Sequence, residues 1–350
     1  MEALTGLAKP VLIFLGARLA FGGYSSVLVD VGVPLPLRCV AHIAFALTIG
    51  LGCLWWYQES LLYVPNIRQP SGATLKTPDD NPQGFRSPQD QQMPFIDLRL
   101  TASDGVGVHG WFMPAPGEGA EATAPTLLFS HENAGNVGLR LHEFKILHQV
   151  LGVNLLAYDY RGYGFSDAAE INEEGLMRDA RAAWEWLDQA AARGQINPRR
   201  VFIFGRSLGG AVTIQLAAEL CAAIDSGAAI PGALRPAGMI VSNTFTCIED
   251  MVGAIYPVLN WKIVREKLLR MRWRSILHIR RVRLPVLFIR GLKDEIVPAE
   301  HTLQLRDAAE LATSVVVHTV PDGTHNDTWI KAGQLYPRWL ADFTAKHFAS

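Results

Sequence analysis

Short apolar runs alternate with longer amphipathic stretches from residue 126 onward. Six of the runs have the length and composition of buried strands: Thr126–Ser130, Val153–Tyr158, Val201–Gly205, Gly238–Ser242, Val286–Arg290 and Ser314–Val320. The stretches between and after them predict helices over 138–150, 172–193, 208–224, 247–280, 299–311 and 327–347. Continuous apolar strands separated by helices are typical of a parallel sheet covered on both faces. The pattern therefore predicts an α/β fold with a mostly parallel sheet.

A hairpin is predicted ahead of these strands. Phe95–Thr101 alternates apolar and polar residues, Ser103–Gly105 has turn composition, and Val106–Met113 is again strand-like. Two such segments joined by a tight turn indicate an antiparallel pair. We expect this pair to lead the sheet at one edge.

The N-terminal part of the chain is strongly apolar. Cys39–Tyr57 is a run of 19 residues without Asp, Glu, Lys or Arg, long enough to cross a hydrocarbon core of about 30 Å as a helix. Aromatic residues, Trp55 and Trp56 among them, close the run as an interfacial belt would. Val11–Val33 is a second apolar run, interrupted by two charges. Residues 1–64 are therefore predicted to anchor the chain in a membrane through one helix or a helical hairpin.

The apolar run has two other interpretations, a buried core helix and a cleaved signal peptide. The second is disfavoured because the first run lacks a basic start and a second apolar segment follows it. With an N-terminal anchor, the expected location is the endomembrane system or the plasma membrane.

The remaining chain divides into two parts by composition. Six prolines punctuate residues 65–94, which predicts an extended proline-rich linker or a strap along the surface. Residues 95–350 hold the predicted strands and helices and form the α/β domain. Within it, about 247–283 is longer than one crossover helix needs, so a small cap is expected there.

Overall composition narrows the function classes. With 49% hydrophobic residues the chain has ample material for a core, which excludes disorder as the dominant state. A net charge of −1 argues against nucleic-acid binding through bulk positive charge. Four cysteines are too few for a disulfide scaffold. The ten histidines show no paired-ligand spacing, so neither a metal nor another cofactor is predicted.

The candidate nucleophile is Ser207. Gly205-Arg206-Ser207-Leu208-Gly209 follows a predicted strand and opens a predicted helix, the context in which a G-x-S-x-G turn exposes its serine above a sheet. The helix N-terminus, including the Leu208 N–H, favours a developing oxyanion. The alternative is an ordinary Gly-Ser turn.

A carboxylate and a histidine follow at later strand ends. Asp294 follows the strand Val286–Arg290, and His325 follows the last strand on a loop leading into the closing helix. The order Ser207, Asp294, His325 is that of Ser…Asp…His hydrolases. His325 is expected to take the serine proton, and Asp294 to orient the imidazole. The rival carboxylates are Glu295, Asp159 and Asp250.

A second oxyanion donor is expected in the loop after Thr126–Ser130. The backbone N–H of Asn133 is the candidate partner of the Leu208 N–H. The alternative is that Asn133 serves only as a turn residue.

With these residues assembled, the chain resembles a family of membrane-anchored α/β hydrolases that includes fungal bud-emergence suppressors and plant wavy-growth proteins. The matching stretches are LLYVP (61–65), SDGVGVHGWF (103–112), ENAGN (132–136), DYRGYGFSD (159–167), FGRSLGGA (204–211), NTFTCIEDM (243–251), GLKDEIVP (291–298) and GTHNDTW (323–329). Many relatives carry Gly in place of Glu132. The resemblance implies an N-terminal membrane anchor, a Ser-Asp-His triad and hydrolase activity of serine-peptidase-like type.

Two function classes follow from this reading. The first is a membrane-anchored serine hydrolase, an esterase or thioesterase or else a peptidase. Its expected partners are the lipid bilayer and a small ester, acyl-lipid or acyl-protein substrate, with no nucleic acid. The second is a membrane-associated signalling or scaffold protein of growth or polarity that depends little on turnover.

Overall fold

A computed structural model describes residues 23–26, 28, 31–226, 234–255 and 268–348. The chain divides into two compact units, Met1–Gln58 and Glu59–Ser350. Helix α1, Leu35–Leu62, begins in the first unit and ends at the start of the second. Its residues Leu35–Cys53 have a mean hydropathy of 1.6 and are not buried within the protein. A helix this long and apolar has the dimensions of a membrane span. Most of the second apolar run, Val11–Val33, lies outside the described residues.

The second unit is built on an eight-stranded sheet. In chain order its strands are β3 (Ile96–Thr101), β4 (Gly107–Met113), β5 (Thr126–Ser130), β6 (Asn154–Tyr158), β7 (Val201–Arg206), β8 (Gly238–Ser242), β9 (Pro285–Gly291) and β10 (Ser314–Val320). The spatial order is β10-β9-β8-β7-β5-β6-β4-β3. Pairs from β10 to β6 are parallel, whereas β6–β4 and β4–β3 are antiparallel. The predicted parallel sheet and leading hairpin are both confirmed.

Helices cover both faces of the sheet. They are α2 (Leu141–Lys145), α3 (Glu173–Ala192), α4 (Leu208–Asp225), α5 (Ile248–Ile255), α6 (Ser275–His278), α7 (Glu300–Ala308), α8 (Thr328–Lys331) and α9 (Leu335–Lys346). Neighbouring residues of one strand enter opposite cores, because strand side chains alternate between the faces. Leu128 packs in the core under α3 and α4, whereas Leu127 and Phe129 pack in the core under α9. Burial on both faces explains why these strands lack alternation in sequence.

The proline-rich segment 65–94 differs from a free linker. It forms a two-stranded ribbon of β1 (Ile67–Arg68) and β2 (Thr74–Leu75), followed by 3₁₀ turns at Pro78–Asp80 and Pro88–Gln91. Each turn begins with a proline, whose fixed φ suits a first helical position. Met93 is fully buried in the core of the second unit. That compact unit begins at Glu59, upstream of the predicted start at residue 95, because the segment supplies core and hydrogen-bonding groups.

The predicted cap is described only at its two ends. Helix α5 begins it, and residues 268–283 with α6 and the 3₁₀ turn Ile279–Arg281 end it. Residues 256–267 lie outside the described part of the chain. In the described part, Arg272 and Arg274 both form ion pairs with Glu249. These pairs join the two ends of the segment.

Candidate active site

The candidate nucleophile lies at a strained turn between β7 and α4. Ser207 has φ 52° and ψ −118°, a backbone conformation that side-chain-bearing residues rarely adopt. Its N–H donates to Ser242 O of β8 at 3.0 Å. The turn directs the chain from the carboxyl end of the sheet straight into the helix, which places Ser207 at the first turn of α4.

Glycine is required beside this serine for steric reasons. A Cβ built on Gly209 would lie 1.9 Å from Ser130 O and 2.6 Å from His131 O. A Cβ on Gly205 would lie 2.0 Å from Gly209 O. The two glycines therefore permit α4 to approach both its own strand and the loop after β5. This close approach packs that loop against the elbow.

Ser207, His325 and Asp294 form one continuous hydrogen-bond chain. Ser207 Oγ lies 2.9 Å from His325 Nε2. His325 Nδ1 lies 2.8 Å from Asp294 Oδ2 and 3.0 Å from Oδ1. The His325 and Asp294 side chains are only 6% and 2% exposed. The structure thus brings together the three residues predicted from three distant strand ends.

Asp294 is held in place by its own backbone neighbourhood. Its Oδ1 accepts hydrogen bonds from Ile296 N at 2.9 Å and Val297 N at 2.8 Å. Glu295, the nearest rival, accepts from the His325 backbone N–H at 3.2 Å. Among the carboxylates weighed from sequence, Asp294 is the one that contacts the imidazole ring.

The other two rivals have different partners. Asp159 accepts from Val137 N at 2.8 Å and lies 3.1 Å from the Nδ1 atom of a different histidine, His109. Asp250 accepts from Thr246 Oγ1 at 2.8 Å.

The two predicted oxyanion donors lie on neighbouring elements. Leu208 is the first residue of α4, and the first N–H groups of a helix have no acceptor within that helix. Asn133 lies three residues beyond the end of β5, whose Ser130 is in register with Gly205 of β7. The loop after β5 therefore begins beside the elbow. Its contact with α4 at Gly209 keeps it there.

Glu132 belongs to a buried charge network around this loop. Its carboxylate lies 3.1 Å from Arg140 Nε and 3.1 Å from Arg206 Nη1. Arg206 also pairs with Glu143, which accepts from Tyr336 Oη at 2.5 Å. Burial would raise the pKa of Glu132, but the guanidinium groups of Arg140 and Arg206 outweigh it and lower the pKa to about 2. Arg206 immediately precedes the nucleophile, so the network ties the elbow to the loop.

These ion pairs make stability depend on pH. Because the folded-state pKa of Glu132 lies near 2, below the ordinary 4.5, its contribution is fully present above pH 4.5 and disappears as the pH falls toward 2. Glu132→Gln should lower the free energy of unfolding at pH 7 by about 3 kcal/mol. The difference from wild type should shrink toward pH 2. Urea unfolding of the detergent-solubilised protein across this range measures it, and a pH-independent difference would contradict the assignment.

Asn243 is a site residue that sequence reasoning did not find. It follows β8 with φ 46°. Its Nδ2 donates to His325 O at 3.0 Å, Thr324 O at 3.1 Å and Thr328 Oγ1 at 2.9 Å. Its Oδ1 accepts from Gly291 N at 3.0 Å. The amide thus joins the His325 loop to the end of β9, just before Asp294. The signal in the sequence is a polar residue directly after the buried strand β8.

Asn243→Ala should lower kcat by about 10- to 100-fold, because a loosened His325 loop misplaces the imidazole. Steady-state hydrolysis of a p-nitrophenyl ester measures this, alongside thermal unfolding to confirm the fold. Asn197→Ala, which removes an amide oxygen that accepts from Arg199 N in the following turn, is the matched control and should leave kcat unchanged. Equal kcat for the two variants would show that Asn243 does not position the histidine.

Within the residues that the structure describes, no group of three or more His, Cys, Asp or Glu side chains is placed to hold a metal ion.

Comparison with known proteins places the chain in a family. Residues 142–349 match the model of the prolyl oligopeptidase family. The alpha/beta hydrolase domain-containing protein WAV2 of Arabidopsis thaliana is 33% identical over 85% of this chain and 91% of its own length. Protein bem46 of Schizosaccharomyces pombe is 33% identical over 93% of this chain and 97% of its own length. The chain belongs to the α/β-hydrolase family.

A yeast relative and a solved esterase structure also resemble this hydrolase. An uncharacterized membrane protein of Saccharomyces cerevisiae is 29% identical over 82% of the hydrolase and 89% of its own length. An esterase of Pyrococcus furiosus superposes with a TM-score of 0.59 at 16% identity, covering 74% of the hydrolase and 93% of the esterase. At that identity the superposition shows the shared fold. The predicted family and fold class are confirmed.

Proposed function

We propose that this hydrolase is a membrane-anchored serine hydrolase that cleaves an ester, thioester or amide through an acyl-enzyme intermediate. The observation that carries the proposal is the hydrogen-bond chain from Ser207 Oγ through His325 to Asp294. A serine hydroxyl is a weak nucleophile at neutral pH and needs an adjacent base. Here the strained turn places Ser207 at the end of the sheet, and the buried imidazole of His325 lies within hydrogen-bond distance of its Oγ.

In the proposed reaction, Ser207 Oγ attacks the substrate carbonyl while its proton moves to His325 Nε2. Asp294 accepts from Nδ1–H and stabilises the imidazolium. The backbone N–H groups of Leu208 and Asn133 bind the oxyanion. His325 then protonates the leaving group, which departs and leaves the acyl group on Ser207. Water, deprotonated by His325, attacks the acyl-enzyme, releasing the acid and restoring the serine.

Activity-based labelling tests this function directly. The full chain in native membranes should react with a fluorophosphonate probe, and Ser207→Ala should abolish the reaction. Ser71→Ala, at an exposed serine, is the control and should label like wild type. An unlabelled wild-type protein that folds would favour the alternative of a signalling or scaffold protein.

Esterase or thioesterase action on a lipid or acylated substrate is the favoured chemistry, because the anchor would hold the site near acyl chains. A peptidase is the second candidate, supported by the match of residues 142–349 to the prolyl oligopeptidase family. Parallel assay of p-nitrophenyl esters, acyl thioesters and peptide amides separates the two. Faster cleavage of the amide series would favour the peptidase.

The proposed anchor is α1. Its stretch Leu35–Cys53 is apolar enough to span a bilayer and unburied within the protein, and a yeast relative is described as a membrane protein. An N-terminal anchor in the endomembrane system or the plasma membrane is consistent with both observations.

Carbonate extraction of cells expressing the full chain should leave the protein in the membrane pellet. Leu47→Arg together with Leu51→Arg should release it, because each central Arg costs about 2.5–3.5 kcal/mol on insertion scales. Both leucines are exposed. Leu61→Arg, at an exposed leucine beyond the apolar stretch, is the control and should stay in the pellet. Soluble wild-type protein after extraction would refute the anchor.

A further inference from the structure

The residues that end α1 are hydrogen-bonded to the loop that carries Asn133. Asn133 Nδ2 donates to Leu62 O, the carbonyl of the last residue of α1. Val64 N donates to Asn133 Oδ1 at 3.3 Å, and Gly135 N donates to Val64 O at 3.0 Å. Val64 and Ala134 thereby form a parallel bridge. Residues 62–64 thus run beside the loop and bind it on both sides of Ala134.

The Asn133 side chain is fixed by these contacts. Its Oδ1 also accepts from Tyr163 Oη at 3.0 Å. The amide oxygen therefore receives two donors, and the amide nitrogen has a carbonyl acceptor. Rotation of the side chain would break all three hydrogen bonds, so the residue is held in one orientation. Its backbone N–H, the proposed oxyanion donor, is held with it.

The same residues also contact the end of the cap segment. Tyr63 is 4% exposed, and its Oη accepts from Trp273 Nε1 at 3.0 Å. Glu59 forms an ion pair with Arg270. Trp273 N in turn donates to Glu173 Oε2 at 3.0 Å. Residues 59–64 therefore join two separate parts of the hydrolase, the Asn133 loop and residues 270–273.

We propose that Leu62, Val64 and Tyr163 are positioning residues, which hold Asn133 where its N–H can bind the oxyanion. This rests on the proposed serine-hydrolase function. An oxyanion donor is effective only at about 2.7–3.1 Å from the developing charge, and a misplacement of about 1 Å can cost about 100-fold in rate. Leu62 ends the helix that carries the proposed membrane span. The proposed oxyanion donor is therefore hydrogen-bonded, through its own side chain, to the last residue of that helix.

Two substitutions in the full-length protein test whether the hydrogen bonds of the Asn133 side chain position this residue. Asn133→Asp keeps an acceptor for Val64 N and Tyr163 Oη but cannot donate to Leu62 O, so two oxygens then face each other. Tyr163→Phe removes one of the two donors to Asn133 Oδ1. Tyr158→Phe is the matched control, a buried tyrosine whose Oη lies 2.8 Å from Ser130 Oγ and not at Asn133.

The measurements are steady-state hydrolysis of a p-nitrophenyl ester, inhibition by a trifluoromethyl ketone and thermal unfolding. Asn133→Asp should lower kcat by about 10- to 100-fold with KM nearly unchanged, and weaken the ketone by a similar factor, because both depend on the oxyanion donor. Tyr163→Phe should lower kcat and weaken inhibition by the ketone by about 3- to 10-fold. Tyr158→Phe should remain within about twofold of wild type.

The outcomes separate this inference from the proposed function. Wild-type kcat and ketone affinity in both folded variants would overturn the positioning role while leaving the serine hydrolase intact. If Asn133→Asp fails to fold, Tyr163→Phe decides alone. A folded wild-type protein that neither labels at Ser207 nor turns over the ester refutes the proposed function, and the positioning role falls with it.

Discussion

Ser207→Ala and His325→Ala should each reduce ester hydrolysis by about 10⁴- to 10⁶-fold, because the nucleophile and its base act as one unit. Ser207 Oγ lies 2.9 Å from His325 Nε2, so removing either partner leaves no activated oxygen. The two losses should not add in the double variant. Measurement of kcat/KM for a p-nitrophenyl ester in the three variants checks this.

Thermal unfolding of each variant is the control for this prediction, because it shows whether the variant is folded. Both side chains are nearly buried, and alanine fits within the volume that either side chain occupies. Thermal unfolding of each variant should therefore be close to wild type. Losses that multiply in the double variant would contradict a concerted role for Ser207 and His325.

Asp294→Asn should lower kcat by about 10⁴-fold, since an amide in place of the carboxylate favours the wrong imidazole tautomer and no longer stabilises imidazolium. Asp294 Oδ2 lies 2.8 Å from His325 Nδ1. The Asn oxygen can still accept from Ile296 N and Val297 N, so the loop geometry should survive. Steady-state hydrolysis of a p-nitrophenyl ester by the variant and the wild type measures this loss of kcat.

Glu295→Gln is the matched control for Asp294→Asn. Glu295 is the adjacent carboxylate and accepts from the His325 backbone N–H. The amide oxygen of the Gln variant can keep that contact. We expect a change within about threefold for this variant. A larger loss for Glu295→Gln than for Asp294→Asn would assign the orienting carboxylate to Glu295.

Local sequence chemistry was sufficient to predict much of the fold. Buried strands such as β5 and β7 are apolar without interruption because both faces are covered. The G-x-S-x-G turn was predicted in its strand–turn–helix context because only small residues allow the close approach seen at Gly205 and Gly209. The candidate triad followed from chain order, because the carboxyl ends of parallel strands meet at one edge of a sheet.

Helix detail was less accessible to sequence patterns. The predicted helix 138–150 is a 3₁₀ turn (Val137–Arg140), then α2, then a π-helical turn (Ile146–Val150). The predicted helix 327–347 is divided into α8 and α9, with Gly333 at φ 54° between them. Apolar periodicity reports which face of a helix is buried, whereas these breaks depend on contacts with neighbouring elements.

The supports of the site are contacts between segments that lie far apart in the chain. The bond from the Asn243 amide to His325 O joins residues 82 positions apart, and the Asn133 amide meets Leu62 O across 71 positions. The composition of residues 65–94 predicts a linker outside the domain, whereas the structure buries Met93 of this segment fully in the core. Local sequence patterns were enough to predict the strands, the elbow, the candidate triad and the apolar N-terminal stretch, because periodicity and turn chemistry are local. Hydrogen bonds between distant segments have no local signature, so the supports of the site emerged only once the chain was folded.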